Sequence, residues 1–543
     1  MVKDEIEIRS VSADSEVSSV KKVFGLSVGS NVHTQRRLSS RQSHLIAMGG
    51  CIGTALFVLI GGPLGEGGPL FLFLAYIIWC TVVYGTNCCL SEMTVYLPID
   101  SSWIRYVSRY VDESIGVANA WNYFLGEAAL VCFEVTAFGI VLTYWTEKSP
   151  PWLTIVLVLC SYVVIELFGV NIYGEVEFWL AIWKVILAFL LIFYTFFTMV
   201  GANPERWVYG FTYWKNPGPV VDYLGDGGSS RSYFMGFLAC LINASFTIAG
   251  PDYVAMTAGE VKNPRKVLPK VFKAVIVRLF IFFVLGSLAV GIVCPSNSQE
   301  LLHGDLPGAG QSPYVISMGI LNIKGLPDLV NGMILTTVYS SGNGFFYCAT
   351  RSLYGMACEG HAPKIFRRCL PNGAPVGAIV VVALVGCLSF LQLGSSSATV
   401  LTWFVYLSTA SLLIYMALIN AAYIRWRQAL KAQGIAYESL EYRHRASSYM
   451  VWYSMIMNII LLFIQGYTVF LPGAWDVPTF LFAYFMIFFV AGVAIVWKVL
   501  KRPKWKSPEE IDIISGKQEI DEYEANLVEE PKTRFDRVLD ILF

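Results

Sequence analysis

Charged residues are scarce in this sequence. Only 14% of its 543 residues are Asp, Glu, Lys or Arg, whereas soluble domains carry about 25%. The chain therefore has too few charges to cover a water-exposed surface of its size. Its positive and negative charges cancel to a formal net charge of zero, so no charge excess favours nucleic acid or another polyanion as a partner.

Signals of enzymes and metal proteins are also missing. The five histidines are scattered, and neither a nucleophile motif nor a phosphate-binding loop is present. The adjacent pair Cys88-Cys89 lacks the spacing of metal ligands. No cleavable signal peptide precedes the first apolar segment, which we expect to act as the insertion signal itself. We expect neither an enzyme nor a bound metal or organic cofactor.

Apolar residues make up 55% of the sequence and occur in runs long enough to cross a bilayer, at about 20 residues each. Open sheets cannot span lipid, and no run shows the alternation typical of a barrel. The sequence therefore predicts an all-α polytopic membrane protein with about twelve transmembrane helices. The predicted spans are 43–62, 69–90, 117–145, 151–170, 178–200, 232–258, 270–294, 327–355, 375–393, 397–424, 449–471 and 478–500.

Basic residues predict the orientation of these helices. The loops after helices 6, 8 and 10 are rich in Lys and Arg, whereas Lys324 is the only basic residue between about 295 and 325. Because basic loops stay in the cytosol, we expect both termini to be cytosolic. The predicted organisation is an N-terminal tail over 1–42, a transmembrane domain over 43–500 and a C-terminal tail over 501–543.

Two predicted spans are interrupted near their midpoints, helix 1 at Gly49–Thr54 and helix 6 at Ser245–Asp252. A Gly inside a helix costs about 1 kcal/mol and a Pro about 3 kcal/mol. Paired interruptions at matching positions of two five-helix halves indicate the binding site of an inverted-repeat transporter. Close helix packing is an alternative reason for glycines, but it does not explain the sequence Gly250-Pro251-Asp252.

Four motifs resemble the fungal amino-acid permeases of the amino acid–polyamine–organocation superfamily. They lie at His44–Phe57, Ala258–Pro269, Thr350–Phe366 and Arg425–Gly434. The resemblance implies a LeuT-like fold, with two inverted five-helix repeats, two further C-terminal helices, and discontinuous helices 1 and 6.

Within that family the chain looks most similar to the dicarboxylic amino-acid permeases. This likeness depends on Gly174–Trp179, Tyr213–Gly218, Ser312–Tyr314 and Asp540–Phe543. The sequence departs from the family pattern at Ala55, where Gly is usual, and at Pro251-Asp252, where a Glu follows a residue other than Pro.

The broken helices suggest how a zwitterion is bound. A helix N-terminus offers free N–H groups and a positive dipole end to a carboxylate, and unwound carbonyls accept from an ammonium. The resemblance places the substrate carboxylate near Gly53, Thr54 and Ala55. It places the ammonium near the carbonyls of Cys51, Phe246 and Ala249, with the Phe246 ring covering the substrate. Asp252, at the helix 6 break, completes the predicted substrate-binding set.

Ionisable residues inside predicted spans each cost about 2.5–3.5 kcal/mol or more and tend to be functional. The candidates for a functional role are Glu127, Glu134, Lys184 and Asp252. The resemblance implies that the Lys184 amine stands in for a sodium ion and exchanges a proton, with Glu134 as the second coupling residue. Snorkelling toward the headgroups is the alternative for Lys184. A structural hydrogen bond to a neighbouring helix is the alternative for Glu127.

Together these features predict a proton-coupled permease that imports L-amino acids across the plasma membrane, with acidic or broad neutral specificity. The proton is the expected coupling ion. Expected partners are the amino-acid substrate, the lipid bilayer and ubiquitin machinery acting on lysines of the cytosolic tails, with no nucleic acid. A non-transporting amino-acid sensor on the same scaffold and a transporter of choline, GABA or polyamines remain as alternatives.

Overall fold

The structure is a computed structural model of the chain, and it describes residues 53–99, 102–146, 149–168, 170–256, 258–302 and 312–526. These residues form helices and connecting segments without a β-strand. The predicted all-α class is thereby confirmed.

The α-helices are numbered α1 to α16 in chain order, leaving two single turns at Thr212–Lys215 and Gln299–Leu302 unnumbered. The first eight are α1 Gly61–Tyr96, α2 Ser102–Tyr110, α3 Glu113–Leu142, α4 Pro151–Leu167, α5 Val170–Met199, α6 Ser230–Thr247, α7 Pro251–Met256 and α8 Pro264–Arg278. The others are α9 Leu285–Val293, α10 Pro313–Ile320, α11 Leu326–Glu359, α12 Val376–Gly386, α13 Ser397–Ala432, α14 Ser447–Ile464, α15 Val477–Lys501 and α16 Lys517–Ala525.

Nine helical segments in the part of the chain that the structure describes are long and apolar enough to cross a membrane. The shorter apolar helix α4 corresponds to the predicted span 151–170. Helix α11 corresponds to the span 327–355 and is 34 residues long, or about 51 Å at 1.5 Å per residue. The first half of the predicted span 43–62 lies outside the described residues. The polytopic helical fold is confirmed.

Large apolar side chains cover the outside of the bundle. Trp179, Phe193 and Phe488 are 61%, 56% and 67% exposed, although all three lie inside long apolar helices. Exposed apolar surface on this scale is unfavourable in water and favourable against lipid chains. The structure therefore supports the embedding that the composition predicts.

A turn at Gly68 separates the predicted helices 1 and 2, which α1 joins into one kinked element. Gly68 has φ 84° and ψ 171°, and Pro69 restarts the helix. A Cβ on Gly68 would lie 2.8 Å from the carbonyl oxygen of Pro219 and 2.9 Å from Cα of Val220. The Leu70 N–H donates to the same Pro219 oxygen at 2.9 Å. Only glycine fits the turn, both for its positive φ and for this close approach.

Helix α3 lies at the centre of the bundle, packed against α2, α11, α13 and α15. Small residues allow close approach, since a Cβ on Gly126 would lie 2.2 Å from the Ser411 hydroxyl of α13. Buried polar side chains follow one another along α3, among them Asn119, Asn122 and Glu134. A central helix with buried polar groups is where a membrane protein holds its functional site.

Residues 502–526, named here the C-terminal strap, fold back onto the face predicted to be cytosolic. Arg265 at the start of α8 pairs with Asp521 at 2.6 Å and with Glu524 at 3.1 Å. Arg109 of α2 pairs with Asp512 at 2.9 Å. Three strap isoleucines, Ile511, Ile513 and Ile520, are buried. The strap thus bridges segments that are far apart in sequence.

Candidate functional site

A cavity of about 60 Å³ lies where the start of the described chain meets α3, α6, α7, α11 and α13. One water molecule needs about 10–15 Å³ of cavity volume, so the cavity has room for four to six waters.

Most of the predicted substrate-binding residues meet at this cavity. They are Gly53, Thr54 and Ala55 from the first break, and Phe246, Ala249 and Asp252 from the second. Cys51 lies outside the described residues. The two broken segments are almost 200 positions apart in sequence, and the fold brings them to one place. The role of these residues in binding stays a prediction.

The predicted break in helix 6 is present. Helix α6 ends at Thr247 and α7 begins at Pro251, leaving Ile248–Gly250 outside both helices. Gly250 has φ 142°, which is strained for any residue with a side chain. Pro251 takes the first position of α7, where its missing N–H costs nothing. The Gly-Pro pair therefore ends one helix and starts the next.

The described end of helix 1 is also irregular. Gly53 is extended, with φ −104° and ψ 179°, and Thr54–Leu56 form a single 3₁₀ turn. The first N–H groups of a helical turn have no acceptor within it. A group that accepts hydrogen bonds in the cavity would meet these donors.

Thr54 links this turn to the central helix. Its hydroxyl donates to Oε2 of Glu134 on α3 at 2.5 Å, and both side chains are 1% exposed. Of the two predicted coupling residues, Glu134 therefore lines the cavity directly and touches the proposed carboxylate site. A proton on Glu134 and a ligand at Thr54 act on the same hydrogen bond.

Lys184 lies behind the cavity. It is 1% exposed, its Nζ is 3.7 Å from Oε1 of Glu177, and it donates to the Ser341 hydroxyl at 3.2 Å. The Ser340 hydroxyl in turn donates to both Glu177 oxygens, at 3.1 and 3.0 Å. A buried lysine with a carboxylate partner does not snorkel to the headgroups, so the snorkelling alternative is wrong.

The sequence interpretation missed Glu177. It precedes Lys184 by seven residues on α5, which places both on one face two turns apart. A carboxylate seven residues before a lysine on one helix was the signal from which this ion pair could have been predicted.

Helix α11 connects the two ionisable groups. Lys184 contacts Ser341, and a Cβ on the next residue, Gly342, would lie 3.0 Å from Cβ of Glu134 and 2.3 Å from the Tyr162 hydroxyl. Glycine thus allows α11 to pass directly beside Glu134. Lys184 is close enough to Glu134 for their charges to interact.

Glu127 and Asp252 line the cavity toward the start of α3. Glu127 is 4% exposed, and its Oε2 has no hydrogen-bond partner among the described residues. The predicted structural hydrogen bond of Glu127 to a neighbouring helix is thus not made by this oxygen. Asp252 is buried and accepts from the Gly250 N–H at 3.2 Å.

Within the ranges that the structure describes, no group of three or more His, Cys, Asp or Glu side chains has an arrangement that could hold a metal ion.

Comparisons with known proteins agree with these features. The sequence model of the amino acid permease family matches residues 42–509. A "General amino acid permease AGP2" of Saccharomyces cerevisiae is 41% identical, over 96% of this chain and 88% of that protein. A "Proline-specific permease" of Emericella nidulans is 38% identical, over 93% and 92%. A "Lysine-specific permease" of Saccharomyces cerevisiae is 34% identical, over 90% and 80%.

These matches confirm the family resemblance that the four motifs predict. They also confirm the expectation of a transporter rather than an enzyme. The likeness to dicarboxylic permeases stays a prediction.

Proposed function

Because this chain belongs to the amino acid permease family, we propose that it is a proton-coupled permease that imports L-amino acids across the plasma membrane. Transport of amino acids by a multi-pass membrane protein follows from the family. The proton, the membrane, the cytosolic position of both termini and the specificity are parts of the proposal. The observation that carries it is the hydrogen bond from Thr54 to Glu134.

The two broken helices hold the backbone of the substrate. The N–H groups of the Thr54–Leu56 turn face a carboxylate, and the last carbonyls of α6, together with Ala249, face the ammonium. Cys51 belongs to the same proposed set. This arrangement binds a zwitterion without a buried charged side chain for either end.

Proton coupling follows from the direction of one hydrogen bond. An ionised Glu134 accepts the Thr54 proton, which turns the lone pairs of the hydroxyl toward the substrate carboxylate. A protonated Glu134 donates its own O–H instead, and the Thr54 hydroxyl is free to donate to that carboxylate. Proton and substrate therefore strengthen each other's binding, and this coupling is reciprocal.

Charge counting supports one proton per substrate. Glu134, Glu177 and Lys184 carry two negative charges and one positive charge when all are ionised. One added proton makes the cluster neutral, which lowers the cost of its charge in a medium of low dielectric constant. We assign Lys184 to the position of the coupling ion, where its amine exchanges a proton during the cycle.

The lining of the cavity argues against a dicarboxylic substrate. Its carboxylates are Glu127, Glu134 and Asp252, and the lining residues that the structure describes include neither Lys nor Arg. A second substrate carboxylate would meet like charges. Phe133 and Phe246 form an apolar wall, with ring centroids 5.1 Å apart. We therefore expect neutral amino acids to compete for uptake better than L-glutamate or L-aspartate.

Regulation by ubiquitin machinery is part of the proposal, with tail lysines as the acceptors. Lys3, Lys21 and Lys22 lie outside the described residues, whereas Lys504 and Lys506 lie exposed in the strap.

Uptake of labelled L-alanine or L-proline tests the function, in cells that lack their own amino-acid permeases. We expect accumulation to follow an inward proton gradient and to persist when sodium is replaced at fixed pH and potential. Glu134→Gln should lose this accumulation. The control Glu166→Gln, at a buried carboxylate outside the cavity lining, should keep it. Sodium dependence would exclude proton coupling, and surface-expressed protein without uptake would favour the sensor.

A further inference from the structure

Glu127 is costly where it lies. The carboxyl group is inside a predicted span, and its Oε2 makes no hydrogen bond of normal length within the described residues, although the Tyr123 hydroxyl, four residues earlier on α3, lies close enough to act on it. An ionised group in such a place costs several kcal/mol unless a partner compensates it. Native proteins satisfy nearly all of their buried polar groups, so a carboxyl oxygen that has no donor and also borders a cavity is a candidate contact for a ligand. This oxygen borders the cavity, where a ligand can reach it.

A second carboxylate faces the same space. Asp252, in the first turn of α7, lines the cavity together with Glu127 and interacts electrostatically with it. When both groups are ionised inside one small cavity of low dielectric constant, their negative charges repel each other, and a cation between them removes the repulsion. The Gly250 N–H fixes one Asp252 oxygen at 3.2 Å. The pair therefore attracts positive charge.

Aromatic rings complete the surroundings. Tyr123 and Tyr415 approach with centroids 5.7 Å apart at 68°, and Tyr253 and Phe345 with centroids 6.5 Å apart at 40°. All four line the cavity. A ring face attracts a cation within about 6 Å of its centroid, most strongly when water is excluded. Rings combined with carboxylates favour an alkylammonium group over a bare metal ion, because the methylene or methyl groups also gain apolar contact.

We propose that Glu127, Asp252 and these four rings form a second subsite, which binds an alkylammonium group of the transported molecule. The subsite lies seven residues, or about 10 Å, from Glu134 along α3. A substrate whose carboxylate lies at Thr54 reaches Glu127 with a nitrogen at the far end of a short aliphatic chain. This inference rests on the proposed function only because both place the substrate in one cavity.

Two ligands of equal shape provide the sharpest test. L-lysine and L-norleucine share their backbone and chain, and norleucine ends in a methyl group where lysine has its ammonium. We would measure the dissociation constant of each with purified full-length protein in nanodiscs, by ligand-dependent thermal stabilisation. Because a hydrogen bond to a charged group is lost with norleucine, we expect lysine to bind about 10- to 100-fold more tightly. Equal affinities in the wild type overturn the proposal without any variant.

Glu127→Gln keeps the side-chain shape and removes the charge, so the preference for lysine over norleucine should fall about tenfold or more. Glu166→Gln is the matched control. Glu166 is also buried and has an oxygen without a hydrogen-bond partner in the described part of the chain, but it does not line the cavity. Its preference ratio should stay as in the wild type. An unchanged ratio in Glu127→Gln, with lysine still preferred, also overturns the proposal.

Further ligands separate the sources of the alkylammonium group. Tight binding of putrescine, which has no carboxylate, supports the subsite and points to an amine transporter. Tight binding of glycine betaine supports it with the rings as the main contact. Protein that binds lysine with the expected preference but shows no proton-driven uptake contradicts the proposed function and leaves the subsite standing. Proton-driven uptake of alanine together with equal affinities for lysine and norleucine supports the proposed function and contradicts the subsite.

Discussion

Two carboxylates on α3 lie one above the other, and the protein treats them differently. Glu134 and Glu127 are both buried, both border the cavity and are seven residues apart on one helix face. Glu134 accepts a hydrogen bond from Thr54 and lies near the Lys184 charge, whereas Oε2 of Glu127 has no donor in the described residues. Burial is equal, so the difference lies in the partners. The protein itself supplies the partners of Glu134, and we infer that the transported molecule supplies the partner of Glu127.

Substitutions near Glu134, where the protein supplies the partners, should produce the largest effect on stability and transport. Lys184→Gln removes one member of the buried pair and leaves Glu177 without its positive partner, which costs about 3–5 kcal/mol of unfolding free energy. We expect lower thermal stability and loss of proton-driven accumulation. Lys184→Arg should fail in accumulation too, because Arg is larger and stays charged. Net uptake, exchange of pre-loaded substrate and surface expression would be measured together.

The double variant Glu177→Gln/Lys184→Gln is the control for this effect. Replacing both charges removes the unpaired carboxylate, so most of the lost stability should return while accumulation stays absent. Full accumulation by Lys184→Gln at normal expression would show that the Lys184 amine does not exchange the coupled proton and would leave Glu134 as its carrier.

Thr54→Val should produce the next largest effect, because it keeps the volume and removes the hydroxyl that joins substrate and proton. Loss of one hydrogen bond to a charged group costs about 1.5–3 kcal/mol, or 10- to 150-fold in apparent affinity. Concentration-dependent uptake at several pH values would measure it. An unchanged affinity in a well-expressed variant would move the substrate carboxylate away from the helix 1 break.

Replacing each of the two glutamates by glutamine compares their contributions to the unfolding free energy of the ligand-free protein. Glu134→Gln weakens an existing charged hydrogen bond and should lower the unfolding free energy by about 1–2 kcal/mol. Glu127→Gln removes an uncompensated charge and should raise it by about 1 kcal/mol or leave it unchanged. Melting temperatures of both variants would be compared. Equal losses at the two positions would mean that Glu127 is completed by the protein after all.

The smallest effect is expected at the protein surface. Arg265→Gln breaks the ion pairs of this largely buried side chain with Asp521, Glu524 and Glu441, whose carboxylates are partly exposed, and solvent-exposed pairs contribute about 0–1 kcal/mol each. Because salt screens such pairs, the loss in melting temperature should shrink at high ionic strength, unlike the loss in Lys184→Gln. Lys504→Gln, at an exposed strap lysine, is the control. A salt-independent loss in Arg265→Gln would place this cluster with the buried networks.

Local signals account for what the sequence predicted well. Apolar runs fix the spans, and Gly250-Pro251 marks the break in helix 6, because each acts through its own backbone. Local signals could not predict hydrogen bonds between residues that are far apart in sequence. The acceptor of the Thr54 proton lies 80 residues away in sequence, and the resemblance named Glu134 without showing that contact. The absence of a contact is equally invisible in the sequence, because only the packed neighbours of Glu127 show that its Oε2 lacks a hydrogen bond of normal length.

The C-terminal strap has a consequence for how the molecule is made. Arg265 and its partner Glu524 are 259 positions apart, which a ribosome covers in roughly 13–50 s at about 5–20 residues per second. During that interval the start of α8 is already synthesised, and the strap is not. The sites that bury Ile511, Ile513 and Ile520 stay empty until the strap has been synthesised. A chain that ends before the strap therefore exposes apolar surface on this face, so the strap residues are needed to cover it.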